Sequence, residues 1–417
     1  VEYNTQKNPG SLPADFGFNP NYRETLQKYP SLFPSTPSEQ APDVIAYVDP
    51  KFKMPQVWRS NLNVDIQLPY DFMLSVGAMY TRDIYNVAQI NMNEAEPTGV
   101  YNEQPDRIYW ASKKYEYNDY TNGKNVVVKL SNGEDKGYQY SFNAILTKKY
   151  DFGFTGSIGY TYTMAKDLTA NPGSAPNSAW QNNVAVNSLN DPGVSYSLFS
   201  TPHRIIANAS YEINYAKCLK TTFSLFYSGY HTGRYSYTYY NDMNGDGNYS
   251  DLIYVPNSQD EMTFVDITDK SGAITYSAVD QAKDFWDFVN NDSYLKDRKG
   301  KYVERNGSLT PWINRFDFKI AQDFYATLGG RKYGIQVSLD MLNVGNMINS
   351  KWGAYQSCGL KSYDNVQLLK TASKVGEPLT YQINANSREA FKERSSWQYT
   401  NTIGSAWSMQ LGVKVTF

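Results

Sequence analysis

Trp58-Arg59-Ser60-Asn61-Leu62-Asn63-Val64-Asp65-Ile66-Gln67-Leu68, then Pro69-Tyr70-Asp71, then Phe72-Met73-Leu74-Ser75-Val76-Gly77-Ala78-Met79-Tyr80 is the stretch that decides the fold. Trp58, Leu62, Val64, Ile66 and Leu68 are apolar at even positions, while Arg59, Asn61, Asn63, Asp65 and Gln67 are polar at odd ones. Successive side chains of a strand point to opposite faces, so this segment predicts a strand with one apolar and one wet face. The apolar set resumes on Phe72, Leu74, Val76, Ala78 and Tyr80, which predicts a hairpin closed by a very short turn.

The pattern recurs along the chain. Tyr138, Tyr140, Phe142, Ala144 and Leu146 lead through Lys148–Asp151 into Phe152, Phe154, Ile158, Tyr160, Tyr162 and Met164. Further hairpins run from Ile205–Ile213 to Phe223–Tyr227, and from Phe316–Ile320 to Tyr333–Leu339; Trp407–Phe417 is a last alternating segment. Between the hairpins lie polar stretches near 93–122, 165–201, 241–311 and 347–396. Short turns alternating with long loops fit an outer-membrane barrel, whereas a soluble sandwich has short connections at both ends. Aromatic residues gather near strand ends (Trp58, Tyr80, Tyr162, Tyr211, Trp312), as interfacial girdles require. The opposite face carries charge in mid-strand at Asp65, Arg315, Asp317, Lys319 and Asp340, as a wet lumen tolerates.

Composition agrees. The 417 residues carry a net charge of -2 with only 19% charged residues, and 37 are Tyr. A pI near 5.9 excludes the basic field that holds nucleic acid. Mean hydropathy is -0.58, and no apolar run approaches the ~18 residues of a transmembrane helix. Two Cys and two His exclude a Cys-rich zinc site or a disulfide framework. Val1 begins no signal peptide, so a mature, trimmed or partial chain is expected.

Nine membrane strands are expected, near 56–68, 72–92, 123–147, 151–165, 202–213, 219–240, 312–324, 332–346 and 397–417. The expected fold is all-β, a transmembrane antiparallel barrel with long extracellular loops. Bacterial single-chain barrels have even strand numbers, and an open edge in lipid leaves backbone groups unpaired. The nine are therefore expected to need further strands. Residues 1–55 read as an extracellular loop segment and 56–417 as the C-terminal part of the barrel.

Asp49-Pro50-Lys51-Phe52-Lys53-Met54-Pro55-Gln56-Val57-Trp58 resembles the mid-barrel stretch of TonB-dependent outer-membrane transporters. Thr201–Ala207, Arg234–Tyr239, Asp242–Asn248, Asp251–Pro256, Asp340–Asn346, Asn349–Gly353 and Trp407–Phe417 resemble, in order, elements of the Oar-like group from Bacteroidetes. The resemblance implies a barrel of about 22 strands around an N-terminal plug, with energy from the TonB–ExbB–ExbD complex. The plug and the TonB-contacting segment lie outside this sequence. The resemblance further implies outer-membrane lipid as surroundings, a C-terminus on the periplasmic side, and an accessory surface lipoprotein as a candidate partner.

Asp242, Asn244, Asp246, Asn248 and Ser250 stand at positions 1, 3, 5, 7 and 9 of a calcium loop, with Gly247 at position 6. Hard oxygens at alternate positions wrap a hard cation. Position 12 is Ile253 rather than Glu, and Asp251 is the candidate substitute. The competing reading is a polar strand-tip turn. His203 and His231 flank strands and belong to no Gly-x-Ser-x-Gly turn, so no hydrolase is expected. Candidate ligand contacts in the loops are Trp110, Tyr117, Tyr120, Trp180, Trp286 and Trp352, through stacking on sugars or peptides. The Tyr-rich tracts at 109–120 and 235–240 read equally as girdle or extended-strand residues. A loop helix starting near Asp280 should bury Phe285 and Phe288, and Cys218 and Cys358 should lie on opposite sides of the membrane, unbridged.

The function expected is gated, energised uptake of a bulky nutrient such as a peptide or glycan, and not enzymatic. A non-energised porin or an adhesin barrel is the alternative. A soluble β-enzyme with paired carboxylates is a third reading, separated by its independence of detergent.

Overall fold

The computed structural model describes residues 21–30, 44–117, 126–249, 251–358, 361–362, 365–384, 391, 397–400 and 402–417. Its main element is a wall of nine long strands: β1 (Gln56–Leu68), β2 (Phe72–Tyr85), β3 (Tyr138–Lys149), β4 (Phe154–Asp167), β5 (His203–Tyr215), β6 (Leu219–His231), β7 (Trp312–Leu328), β8 (Arg331–Leu342) and β9 (Ser408–Thr416). Each pairs antiparallel with the next, from β1 to β9 in sequence order. Among the described residues no helix is long and apolar enough to cross a membrane.

The register carries the parity found in the sequence across the whole wall. Val64 pairs Val76, Val76 pairs Ala144, Ala144 pairs Tyr160, and Tyr160 pairs Ile205. Further along, Ala209 pairs Leu225, Leu225 pairs Phe318, Ile320 pairs Leu339, and Leu339 pairs Leu411. One face is thus apolar from end to end, yet open: Leu62 is 68% exposed, Phe142 54% and Leu411 72%. Apolar surface of that extent in contact with water would be an aggregation hazard, and it is what a lipid-facing wall requires.

All four short turns lie at one end. Gly329 and Gly330, at φ 57° and 77°, make a two-residue turn between β7 and β8. Consecutive positive φ values match the twist of the flanking strands, and glycine adopts them without a Cβ clash. Tyr70 and Asp71, and likewise Ala216 and Lys217, adopt the same region at two of the other turns. The other end carries the long connections 86–137, 168–202, 232–311 and 343–407. Among the described residues β1 and β9 are each paired on one side only.

Four expected strands run too long. The 72–92 and 123–147 segments leave the wall, and Ala88–Asn91 and Val126–Ser131 pair with each other instead. Val44–Val48, from the expected 1–55 loop segment, joins them in parallel with Val126–Leu130. The 219–240 segment breaks at Thr232-Gly233, and Arg234–Tyr239 enters a separate five-stranded sheet beside Asn365–Thr371. Residues 398–399 pair with Gln356–Ser357, so the last wall strand begins only at Ser408.

These pieces form one folded assembly at the long-connection end. Its core holds Tyr235, Tyr237, Tyr239, Ile253, Phe285, Leu368, Tyr381 and Ile383. The whole of Arg234–Tyr239 is buried, on both strand faces. Buried phenols need partners: the Tyr237 hydroxyl donates to Asp292 Oδ2 at 2.8 Å, and Gln104 Nε2 donates to the hydroxyls of Tyr239 and Tyr381 at 2.9 Å each. Tyr235–Tyr239 are therefore core residues, not a girdle. The expected helix spans Ala278–Asn291, with the Ser277 side chain accepting from Asp280 N at its start. Gln281, Phe285, Phe288 and Val289 form its buried stripe.

Candidate functional site

Two regions can meet a ligand. The first is the inner face of the wall, where the polar parity gathers charge in opposed pairs. Lys319 Nζ lies 2.8 Å from Asp340 Oδ1 across β7 and β8. Lys220 bridges Glu212 at 3.4 Å and Asp323 at 3.6 Å, linking β5, β6 and β7, and Arg315 pairs with Asp317 at 3.5 Å. Ser75 Oγ donates to Asp65 at 2.5 Å, and Gln336 Nε2 donates to Asp323 at 2.8 Å. Opposed charges cancel their long-range field, so this face is hydrophilic without a dominant sign.

The second region is the assembly. A cavity of about 520 Å3 opens in it, lined among others by Asp49, Gln89, Lys129, Asn132, Asn190 and Asp191. That volume lies in the range of small-ligand sites. Four amide and four carboxylate side chains stand on its walls, which suits a hydroxyl- or amine-rich ligand.

The Asp242–Asp251 loop lies within the assembly. Asp242 accepts from Gly245 N at 2.8 Å and from Gly247 N at 2.9 Å. Asn244 Oδ1 accepts from Asp246 N, Asp246 Oδ1 from Asn248 N, and Asp251 Oδ2 from Met243 N, at 3.0, 2.7 and 3.0 Å. The left-handed backbone of Gly245 and Gly247, at φ 82° and 94°, closes the tight turn. Burial raises the Asp242 carboxyl and raises that of Asp246 well above its usual range, where Asp251 and Asp242 add repulsion. Burial pushes Asp251 up to about 7, against the pull of Arg107 at 3.6 Å. Among the described residues no three His, Cys, Asp or Glu side chains are grouped to hold one ion. Ser250, the expected ligand at position 9, lies outside the described residues.

The candidate aromatic contacts divide by exposure. Trp110 and Trp180 are 4% and 1% exposed, and of the two Trp180 borders the 520 Å3 cavity. Their indole N–H groups donate to Ala95 O at 2.7 Å and Asn190 Oδ1 at 3.1 Å, so both act as internal braces. Trp286 is half-buried with Lys299 Nζ 4.5 Å from its ring centre. Tyr117 and Trp352 are exposed, and Tyr120 lies outside the described residues.

Arg107 is the residue that sequence reading misses. It is fully buried, donates to the carbonyls of Val186 and Leu252 and to Gln104 Oε1, and faces the Tyr302 ring at 4.8 Å. An arginine within a polar stretch carries no local sign of this, because its partners come from distant parts of the chain. Cys218 is exposed at the short-turn end, and Cys358 is buried in the assembly; neither is bridged.

Comparison with known proteins agrees with this architecture. Residues 1–354 match a family model described as an outer membrane beta barrel domain. No curated protein and no solved structure matches the chain. The match covers most of the wall, and the wall has the continuous apolar face and polar inner face of a membrane barrel. The chain belongs to the outer membrane β-barrel domain family, and the outer membrane is its location.

Proposed function

We propose that this barrel is part of a TonB-dependent transporter that takes up a bulky nutrient, such as a peptide or glycan. The observation that carries this reading is the joining of a charge-paired inner wall to a folded assembly with a polar cavity of about 520 Å3. The sequence likeness to Oar-like transporters supports it. In this reading the long connections are extracellular and Phe417 is periplasmic. The single-sided edges of β1 and β9 pair with further strands of the same barrel, and a plug receives the pull of the TonB–ExbB–ExbD complex. A surface lipoprotein is a candidate accessory on the loop side. No catalytic step is assigned.

Planar-bilayer recording on the whole gene product separates this reading from a porin. A plugged transporter gives no steady conductance and binds the periplasmic domain of TonB. Stepwise ohmic conductance without TonB binding overturns the proposal in favour of a porin, and absence of both favours an adhesin.

A calcium ion at the 242–251 loop belongs to the same proposal, as a stiffener of the assembly. Each carboxylate oxygen that accepts an N–H keeps a second lone pair for an ion. Calorimetry with calcium chloride at neutral pH should give heat that Asp242→Ala abolishes; an isotherm unchanged by that substitution removes the ion from the account.

A further inference from the structure

A second pocket, of about 360 Å3, lies on the lipid-facing side of the wall at the long-connection end. Trp312 and Phe316, at even positions of β7, share the apolar parity and form its floor. Trp312 stands edge-on to His231 at 5.0 Å between ring centres, and Phe316 lies 4.9 Å from Tyr227. The Trp312 Nε1 and the Tyr227 hydroxyl both donate to Asn314 Oδ1, at 2.9 and 2.8 Å, which holds this aromatic ridge in place.

Trp352 and Tyr399 complete the pocket and are 53% and 47% exposed. Trp352 is set by a tight turn: its N–H donates to Asn349 O at 2.9 Å, and Asn346 Nδ2 donates to its carbonyl at 3.1 Å. Tyr399 is set by the pairing of Gln398–Tyr399 with Gln356–Ser357. Among the described residues Lys351 is the one charged residue lining the pocket, and its Nζ lies 5.7 Å from the Tyr399 ring centre. Among the described residues Lys351 makes no ion pair, although Lys220 and Lys319 on the inner face are both paired.

We propose that this pocket binds a phosphate-bearing lipid of the adjoining leaflet, with the phosphate at Lys351 and the acyl chain along Phe316 and Trp312. Charge complementarity selects the occupant. A lone ammonium at the end of a lipid-facing band sits where headgroup phosphates lie, and aromatic rings favour that same interfacial depth. A soluble protein partner would have to displace lipid from the same face. The inference rests on the barrel fold and is independent of the transport reading.

Native mass spectrometry of the whole gene product in mixed micelles tests it, with phosphatidic acid, phosphatidylcholine and inorganic phosphate as probes. Retained phosphatidic acid should exceed phosphatidylcholine, and Lys351→Gln should lower it about tenfold, the worth of one charge-assisted hydrogen bond. Lys351→Arg should retain the lipid, and Trp352→Ala should weaken it. Circular dichroism confirms that each variant keeps its strands. Equal retention by wild type and Lys351→Gln overturns the proposal, and so does inorganic phosphate binding as well as the lipid.

Discussion

Arg107 and Asp251 face one another 3.6 Å apart with side-chain exposures of 0% and 3%, which makes them the most enclosed ion pair among the described residues. Desolvating two charges is costly, and the pair persists because Arg107 also donates to two carbonyls and lies over Tyr302. Removing Arg107 leaves the Val186 and Leu252 carbonyls without their buried donor and takes away the cation facing Asp251. Arg107→Met should therefore destabilise the assembly by roughly 3–5 kcal/mol while the wall stays folded. Limited proteolysis in detergent should then cut within 86–137 and 232–311, and a digestion pattern like wild type would count against the role.

Asp251 also sets a pH dependence. Burial raises its folded value to about 7 from an ordinary 3.8. A raised carboxyl favours the protonated folded state, so its contribution is full below 3.8 and is lost as pH rises through about 7. With EDTA present, the assembly should melt higher at about pH 5 than at about pH 7.5, and Asp251→Asn should flatten that slope. Differential scanning calorimetry of the two proteins measures it; equal slopes would exclude Asp251 as the source.

The wall parity has its own test. Val64 shares the continuous apolar face and Asn63 the polar one. Arginine facing lipid near the midplane costs about 2–4 kcal/mol, whereas the inner face tolerates it. Val64→Arg should lower the yield of heat-modifiable, folded barrel and Asn63→Arg should not. Equal yields would falsify the assignment of faces.

Trp110 and Trp352 should differ by mechanism. Trp110→Ala empties a packed site and should cost about 3–5 kcal/mol, while Trp352→Ala, at a ring 53% exposed, should shift stability by under about 0.5 kcal/mol. Chemical denaturation followed by near-ultraviolet dichroism distinguishes them.

The cysteines report topology. Maleimide should label exposed Cys218 in the folded protein and leave buried Cys358 untouched until denaturation. A tryptic digest run without reductant should contain no Cys218–Cys358 linked peptide.

The wall was legible because its rule is local. Trp58–Tyr80 already displays the period, the break and the resumption, and the pairing of Val64 with Val76 follows from them. The same rule misleads at Arg234–Tyr239. Its alternation continues from β6, but Thr232-Gly233 turns the strand into a core where Ser236 and Thr238 are buried as fully as Tyr237. Period two marks a strand and says nothing about which sheet receives it. Trp110 and Trp180 were likewise recognisable as loop aromatics, but whether a ring braces a core or faces a ligand depends on contacts such as Asn190, which no spacing reveals.

The grouping of all four short turns at one end bears on the order of folding. Each hairpin pairs neighbours in sequence, so its loop-closure entropy is small and it forms early. The assembly joins Val44–Val48 to Val126–Leu130 and Ser236–Tyr239 to Asn365–Leu369, both in parallel and across long separations. Its core should therefore close after the hairpins have brought those segments together. Protection of the Tyr237 and Ile383 amides thus becomes a sign that the strands beneath have found their registers, a completion signal written into the connectivity of the chain.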